Sequence, residues 1–223
     1  MLDTQESVAN LVLRHSECAE VFRRYRIDYC CQGGQPIAEA AQAKGVDLTE
    51  LTQELTKAIE QRAPVSGPSP KELSTEALIA HIVSRHHDYL RRALPFVHQL
   101  AAKVHRVHGQ HEPRLSAVER DVRELQDTLL AHLDDEEAQV FPSLLSEDRD
   151  PQEVERLLQE MNEEHLALAK LLGSLRDNTD AFQPPSWACN SYRTLFSELE
   201  RLEQDTFAHV HLENHVLRPR FVA

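Results

Sequence analysis

Two segments of the chain repeat the same spacing of histidine, glutamate and proline. HLDDEEAQVFP and HVHLENHVLRP each begin with a histidine, carry a glutamate four residues later and end on a proline six residues after that glutamate. Residues i and i+4 share one face of a helix, so an imidazole and a carboxylate at this spacing can converge on one metal ion. The two pairs are His132 with Glu136 and His209 with Glu213.

Two more histidines fit the same repeat. The separation along the chain between His87 and His165 is almost equal to that between His132 and His209. Two copies of a helix pair would produce this pattern. A single His-x-x-x-Glu pair is more often an ordinary exposed contact on a helix surface. The recurrence of the pair, of its proline and of the two lone histidines favours a metal site over that simpler interpretation.

The number and kind of these side chains indicate which metal they would hold. Four imidazoles and two carboxylates exceed the four ligands of a closed zinc site. They suit two non-haem iron ions, each with two imidazoles and both bridged by the carboxylates, with an oxide or hydroxide completing the centre; manganese accepts the same donors. The predicted metal ligands are His87, His132, Glu136, His165, His209 and Glu213.

Four long stretches with helical periodicity would position these ligands. They run from about Ser74 to His105, Pro113 to Leu145, Pro151 to Arg176 and Pro185 to Leu217, and the breaks between them are short and polar or Pro-rich. We expect an up-down-up-down four-helix bundle. Pro95 should kink or interrupt the first helix. Aromatic residues make up only 5% of the chain, which also favours an all-α fold.

The residues before the bundle predict a separate small unit. Residues 1–63 show short helical patterns broken at Gly33 and Gly34, which indicates three or four helices. A linker rich in proline follows at residues 64–73, and the bundle occupies residues 74–223. So short a segment buries little apolar surface alone, so we expect it to dock on the bundle or on a second chain, and a homodimer is compatible with this.

Two adjacent cysteines form the second chemical motif. Cys30 and Cys31 lie in the segment DYCCQGG, where they could be reactive thiols or bind a soft metal. A pair of buried apolar cysteines at a turn explains the same residues equally well. Cys18 and Cys189 have no partner motif, and we expect both in the core. Because four such cysteines do not resemble a disulfide framework, a reducing cytoplasm is the expected compartment.

Seven further histidines are not expected to bind the metal. His86 and His211 should face another side of their helices, and a surface position is favoured for the other five. His81 and His215 could instead hydrogen-bond to the ligands. Glu164, next to His165, is the best candidate to accept a hydrogen bond from a ligand histidine, because such histidines usually need an acceptor for their other N–H. The histidines set aside are His81, His86, His105, His108, His111, His211 and His215.

Charge and hydropathy exclude several classes of partner. The formal net charge of −13 makes a nucleic acid an unfavourable partner, because the surface repels phosphates. No apolar run reaches the length of roughly 18–20 residues that a membrane helix needs, so we expect no membrane contact. The first residues lack the basic start and apolar core of a secretory signal.

The chain resembles the RIC family, named for repair of iron centres and also called the ScdA/YtfE family. FRRYRIDYCCQGG is similar to the small ScdA-type domain, and RHHD, HLDDEEAQVFP, EEH and HVHLENHVL are similar to the hemerythrin-like domain. The resemblance implies that His87, His132, His165 and His209 are terminal iron ligands, with glutamates as bridges. Arg218 departs from the family pattern, which favours an apolar residue there.

The resemblance also implies a function. The family is associated with repair of iron–sulfur clusters damaged by nitric oxide or oxidants, and donation of iron is the leading hypothesis. Damaged iron–sulfur proteins would then be the clients, and Cys30 and Cys31 would receive or pass on iron or nitrosyl groups. Alternatives are binding or scavenging of nitric oxide, its reduction at the two irons, and oxygen carriage. The sequence assigns no conventional catalytic residue and does not decide between these alternatives.

Overall fold

The computed structural model of the protein describes residues 2–62 and 69–222. Within these ranges the chain is helical, and its only β feature is an isolated bridge between Ser7 and Pro36. By the density of its contacts the chain divides into two compact units. One comprises Met1–Leu73 and Val210–Pro219, and the other comprises Ser74–His209 and Arg220–Ala223. None of the described helices has the length and apolar character needed to cross a membrane.

The described part of the N-terminal unit contains four short α-helices, where the sequence predicted three or four. Two of them begin at side-chain caps, because Ser7 accepts a hydrogen bond from the backbone of Asn10 and Asp47 accepts one from that of Glu50. The helices are α1 (Val8–Arg14), α2 (Cys18–Arg24), α3 (Ile37–Lys44) and α4 (Leu48–Glu60).

The predicted linker falls only partly within the described residues. Pro64, Gly67 and Pro68, on which the prediction rests, lie outside them. Of the remainder, Pro70–Glu72 forms a single 3₁₀ turn capped by Ser69.

Gly33 fixes the packing of the loop that follows the two cysteines. A Cβ atom at Gly33 would lie 2.3 Å from the carbonyl oxygen of Tyr29 and 2.8 Å from the Cβ of Ala9. Only glycine allows so close an approach. The Gly33 carbonyl in turn accepts a hydrogen bond of 2.8 Å from the backbone of Ala9, at the start of α1. The cysteine loop is therefore held directly against that helix.

The larger unit is a hemerythrin-like four-helix bundle. Its long helices share one apolar core, which draws on Leu94, Leu125, Leu172 and Leu195 among others. Each helix supplies an apolar stripe at helical spacing, which is why these residues form a bundle. The helices are α5 (Thr75–Ile82), α6 (Asp88–His108), α7 (Leu115–Asp135), α8 (Phe141–Leu145), α9 (Pro151–Asn178) and α10 (Asn190–Leu212).

The first predicted stretch is interrupted, but not at its proline. Helix α6 continues through Pro95 to His108. The change in helical geometry instead lies at Val83–His87, between α5 and α6. The fourth predicted stretch begins later than expected, because α10 starts at Asn190 and Pro185 precedes it in a turn.

Candidate metal centre

Three π-helical turns occur at the predicted ligand positions. They span Val83–His87, Glu136–Val140 and Glu213–Leu217, so each begins or ends on a predicted ligand. In each turn the backbone N–H of the next residue bonds to the carbonyl five residues back, for example Phe141 to Glu136. Such turns are rare and frequently mark functional sites.

Proline provides the local reason for two of these turns. Pro142 and Pro219 each follow the residue that donates the i to i−5 bond. Proline has no N–H to give to the carbonyl four residues back, so the α-type hydrogen-bond ladder cannot continue through these positions. The repeated proline therefore carried a signal for a widened turn, which the sequence analysis noted as a repeat but did not interpret.

Four predicted histidines meet as two pairs in the interior of the bundle. The Nε2 atoms of His87 and His209 lie 3.2 Å apart, and those of His132 and His165 also lie 3.2 Å apart. All four residues are at most 2% exposed. Two ligands that each lie about 2.1 Å from a shared ion would be 3.2 Å apart at an angle of roughly 100°. The spacing within each pair therefore suits two nitrogens on one ion.

Glu136 lies between the two pairs of histidines. Its Oε2 atom is 3.4 Å from Nε2 of His87 and 3.7 Å from Nε2 of His209. Its Oε1 atom is 3.3 Å from Nε2 of His132 and 3.9 Å from Nε2 of His165. The carboxylate is 1% exposed. Each oxygen thus faces a different pair of imidazole nitrogens.

Two glutamates outside this cluster orient two of the rings. Nδ1 of His87 lies 2.8 Å from Oε1 of Glu137, and Nδ1 of His132 lies 2.6 Å from Oε2 of Glu164. Glu164 was predicted from its position beside His165, but its observed partner is His132. Glu137 was not predicted, because it follows Glu136 directly and therefore points from another face of the helix.

Both of these glutamates are held ionised. Burial raises the pKa of Glu137, but the hydrogen bonds from His87 and Arg91 outweigh it and hold this pKa below its usual range. The hydrogen bond from His132 lowers the pKa of Glu164 against an opposing effect of burial. An ionised carboxylate only accepts hydrogen bonds, so Nδ1 carries the proton on both rings.

With the proton on Nδ1, the Nε2 atoms of these rings decide whether the buried residues suit a cation. In a neutral imidazole with its proton on Nδ1, the Nε2 atom presents a lone pair. On His87 and His132 the Nε2 atom faces the carboxylate of Glu136 at 3.3–3.4 Å. A cation among these groups would be attracted by the carboxylate and by the lone pair of a neutral imidazole. The buried donor set therefore fits a metal ion.

Glu213 is placed by the helix that carries His209. It lies four residues after His209 in a continuous run of helix, and it is completely buried. This spacing brings its carboxylate to the helix face that bears the His209 ring. Glu213 therefore stands in the same relation to His209 as Glu136 does to His132.

Two histidines outside the predicted ligand set are buried, and one cysteine differs from expectation. His86 stacks on His209 with ring centroids 5.8 Å apart and lies 3.1 Å from Asp205 through Nδ1. His211, which like His86 was predicted only to face another side of its helix, is also buried. Cys189 is exposed, so its prediction as a core residue is wrong, whereas Cys18 is buried as expected. Asn190 begins α10 just after Cys189, which places this cysteine at a helix terminus rather than on an apolar stripe.

The cysteine loop is a second cluster, within the N-terminal unit. Oδ1 of Asp28 accepts backbone hydrogen bonds from Cys30 at 2.9 Å and from Cys31 at 2.8 Å. The two sulfur atoms lie 3.5 Å apart, and Cys30 is buried while Cys31 is half-exposed. The predicted thiols are thus adjacent in space as well as in sequence.

The segment Val210–Pro219 holds this loop through its backbone. Nδ1 of His211 donates to the carbonyl of Tyr29 at 3.0 Å, and Nδ2 of Asn214 donates to the carbonyl of Cys30 at 3.0 Å. Burial lowers the pKa of His211 to about 3, although its bond to Tyr29 opposes the shift. His211 is therefore a neutral donor at physiological pH. No pattern in the sequence linked these residues to the cysteines.

Comparisons with known proteins match both parts of the chain. Residues 4–59 match the ScdA_N domain, described as a domain of unknown function (DUF542), and residues 78–221 match the hemerythrin HHE cation-binding domain. The chain is 33% identical over 223 residues to the iron–sulfur cluster repair protein ScdA of Staphylococcus haemolyticus, which covers 99% of this chain and 100% of that protein. It is 32% identical over 225 residues to the iron–sulfur cluster repair protein YtfE of an Enterobacter species, with 98% and 97% covered.

These matches extend over the whole architecture and include the cation-binding domain that contains the buried histidines and glutamates. The identity is about one third over nearly the full length of both relatives. The chain belongs to the ScdA/YtfE family of iron–sulfur cluster repair proteins, with an N-terminal ScdA_N domain and a hemerythrin HHE domain.

Proposed function

We propose that this chain repairs damaged iron–sulfur clusters by donating iron from a di-iron centre in its bundle. The observation that carries the proposal is the position of Glu136, each of whose oxygens faces a different pair of buried histidine nitrogens. The relatives named above are iron–sulfur cluster repair proteins over the same length of chain.

Two ions explain this arrangement better than one. A single ion would draw the four Nε2 atoms around itself, but they lie as two pairs with the carboxylate between them. We assign His87 and His209 to one ion, His132 and His165 to the other, and Glu136 to both. Glu213 is the second bridge in this proposal, on the strength of its spacing from His209 and its complete burial.

The donor set also favours iron over zinc. Imidazole with carboxylate suits iron and manganese, whereas a structural zinc site is usually closed by four ligands and often by thiolates. The thiols of Cys30 and Cys31 belong to the other cluster. When bound, the two ions would be the ferrous iron that the protein donates. They would also offer the coordination positions at which nitric oxide would bind.

The side chains of the protein perform three tasks in this proposal. The histidines hold iron in an interior that excludes water. Glu137 and Glu164 keep the rings of His87 and His132 turned inward, because each accepts the Nδ1–H. Glu136, placed between two cations, remains ionised and links the ions.

Metal analysis tests the centre. Protein purified without oxygen should contain about two iron ions per chain, and Glu136→Gln should lose most of both while weakening the magnetic coupling of any that remain. Glu124→Gln is the matched control, because Glu124 lies on the same helix with an exposed side chain. Full iron content and unchanged coupling in Glu136→Gln would exclude the bridging role.

Transfer of labelled iron tests the function. Protein loaded with ⁵⁷Fe is mixed without oxygen with an iron–sulfur hydro-lyase damaged by nitric oxide, and both the label and the recovered activity of the client are measured. We expect the label in the rebuilt cluster and no recovery with Glu136→Gln. Recovery without transfer of label would exclude donation. Formation of nitrous oxide from nitric oxide at a sustained rate, without recovery, would favour a nitric oxide reductase instead.

A further inference from the structure

The cysteine loop brings three ligand atoms together apart from the bundle site. One oxygen of Asp28 and the sulfurs of Cys30 and Cys31 all lie within 4.8 Å of one another. We propose that these three residues form a second, mononuclear site for a thiophilic divalent cation, with ferrous iron in transit as its cargo. The assignment of iron in transit rests on the proposed function, whereas the binding of a cation does not.

The separation of the two sulfurs suits a shared cation. They lie 3.5 Å apart. Two thiolates at about 2.3 Å from one tetrahedral ion are roughly 3.8 Å apart, so an adjustment of a few tenths of an ångström would admit the ion. A disulfide needs a separation of about 2.05 Å, which demands a much larger change in a loop of adjacent residues.

Asp28 supplies a carboxylate already aimed at the thiols. Its Oδ1 atom lies 3.3 Å from the sulfur of Cys30, which donates its S–H to it. A cation would take the place of that proton. Binding of one divalent ion by two thiols and one carboxylate releases two protons to the solvent and leaves the site with one negative charge.

The loop is organised before any cation binds. The carbonyls of Tyr29 and Cys30 are held by His211 and Asn214, and Gly33 packs against α1 without room for a side chain. A preorganised loop loses little conformational freedom on binding. Cys30 is buried, whereas Cys31 and Asp28 are only partly buried, so an ion would enter and leave past these two residues.

The ligand set determines which ions would be held and how tightly. Two thiolates favour iron, zinc or cadmium over magnesium, calcium and manganese. Three protein ligands leave a fourth tetrahedral position open, as in zinc sites where a ligand must exchange. The fourth position would accept a thiolate of a client protein, which suits a site for transfer better than one for storage.

Cadmium is the probe that tests binding at this site. The full-length, iron-loaded protein is titrated with Cd²⁺ without oxygen, and thiolate-to-cadmium absorption, bound cadmium, retained iron and released protons are measured. We expect one cadmium per chain with thiolate absorption, about two protons released for each and no loss of iron. Cys31→Ser should weaken binding at least tenfold, and Asp28→Asn should weaken it by less.

Cys189→Ser is the matched control, because Cys189 is an exposed thiol outside the loop. It should bind cadmium as the unsubstituted protein does. Cys31 is half-exposed, so its replacement by serine should leave the fold intact, which the melting temperature checks. Equal binding by Cys31→Ser and the unsubstituted protein, or cadmium bound without thiolate absorption, would overturn the site.

The iron-transfer assay separates this proposal from the proposed function. Slower transfer of ⁵⁷Fe by Cys31→Ser, with its iron content unchanged, would support iron in transit through the loop. Transfer at the normal rate by a variant that no longer binds cadmium would overturn that role. Cadmium binding by a protein that transfers no iron at all would support the cation site and contradict only the donation of iron.

Discussion

Replacement of Glu164 tests the two-ion arrangement one half at a time. Glu164 accepts a hydrogen bond from Nδ1 of His132, whose Nε2 atom pairs with that of His165. In Glu164→Ala the Nδ1–H of His132 loses its carboxylate acceptor, and the ring becomes less basic and less firmly oriented. The ion assigned to His132 and His165 should therefore bind more weakly, while the ion assigned to His87 and His209 keeps its affinity.

The size of the effect follows from the exposure of the carboxylate. Loss of such an acceptor typically weakens metal binding by about 10-fold to 100-fold. The side chain of Glu164 is 44% exposed, so water can replace part of the hydrogen bond of 2.6 Å. We therefore expect the lower end, about tenfold or about 1.4 kcal/mol. Glu164→Gln, which keeps an oxygen acceptor without its charge, should lie between Glu164→Ala and the unsubstituted protein.

Competition with a ferrous chelator is the assay. The iron of Glu164→Ala should leave in two phases of equal size. Only the first phase should occur at a lower chelator concentration than in the unsubstituted protein. Glu163→Ala provides the control, because Glu163 is the exposed neighbour and bonds to Gln159. If Glu164→Ala binds both ions more weakly, or binds neither more weakly than Glu163→Ala does, the assignment of one histidine pair to each ion is wrong.

Three further predictions concern stability and thiol reactivity. Arg176→Met should lower the free energy of unfolding by about 3–5 kcal/mol in urea titrations, because Glu203 is 1% exposed and loses a partner at 2.7 Å; the double variant with Glu203→Leu should recover most of the loss. Removal of iron should lower the melting temperature by roughly 5–10 °C relative to protein in free iron at about 100 times the dissociation constant; an unchanged temperature would contradict a buried site. Burial and the charge of Glu17 raise the pKa of Cys18 to about 12, so at pH 8 iodoacetamide should label exposed Cys189 quickly and Cys18 only on unfolding, as peptide mass analysis would show.

Residue type and spacing were sufficient to locate most of the proposed metal site. His87, His132, Glu136, His165 and His209 were chosen because their positions repeat, and the structure brings these five together. Repetition succeeds here because metal ligands must project from fixed positions on helices that pack in a fixed order. The all-α fold was predictable for the same reason, since apolar periodicity persists over each long helix.

The partners of the ligand histidines were less accessible to sequence reasoning. Glu137 and Glu164 each act on a histidine from another helix, so their partners depend on how the helices rotate against one another. The π turns alter that rotation, and only the prolines hinted at two of them. The contacts of His211 and Asn214 with the cysteine loop could not be predicted for a related reason. Their partners are backbone carbonyls, which leave no pattern in the side-chain sequence.

The π turn at Glu136–Val140 determines where the metal site tolerates a deletion. A π turn takes up one more residue than an α turn, so it behaves as a one-residue insertion that an ordinary helix has absorbed. Removing one residue within the turn would restore α geometry and leave the downstream helix close to its present rotation. The same deletion within α7 would instead turn everything beyond it by about 100°. The ring of Phe141, which stacks on that of His87 with centroids 5.8 Å apart, should therefore survive a deletion in the turn better than one in α7.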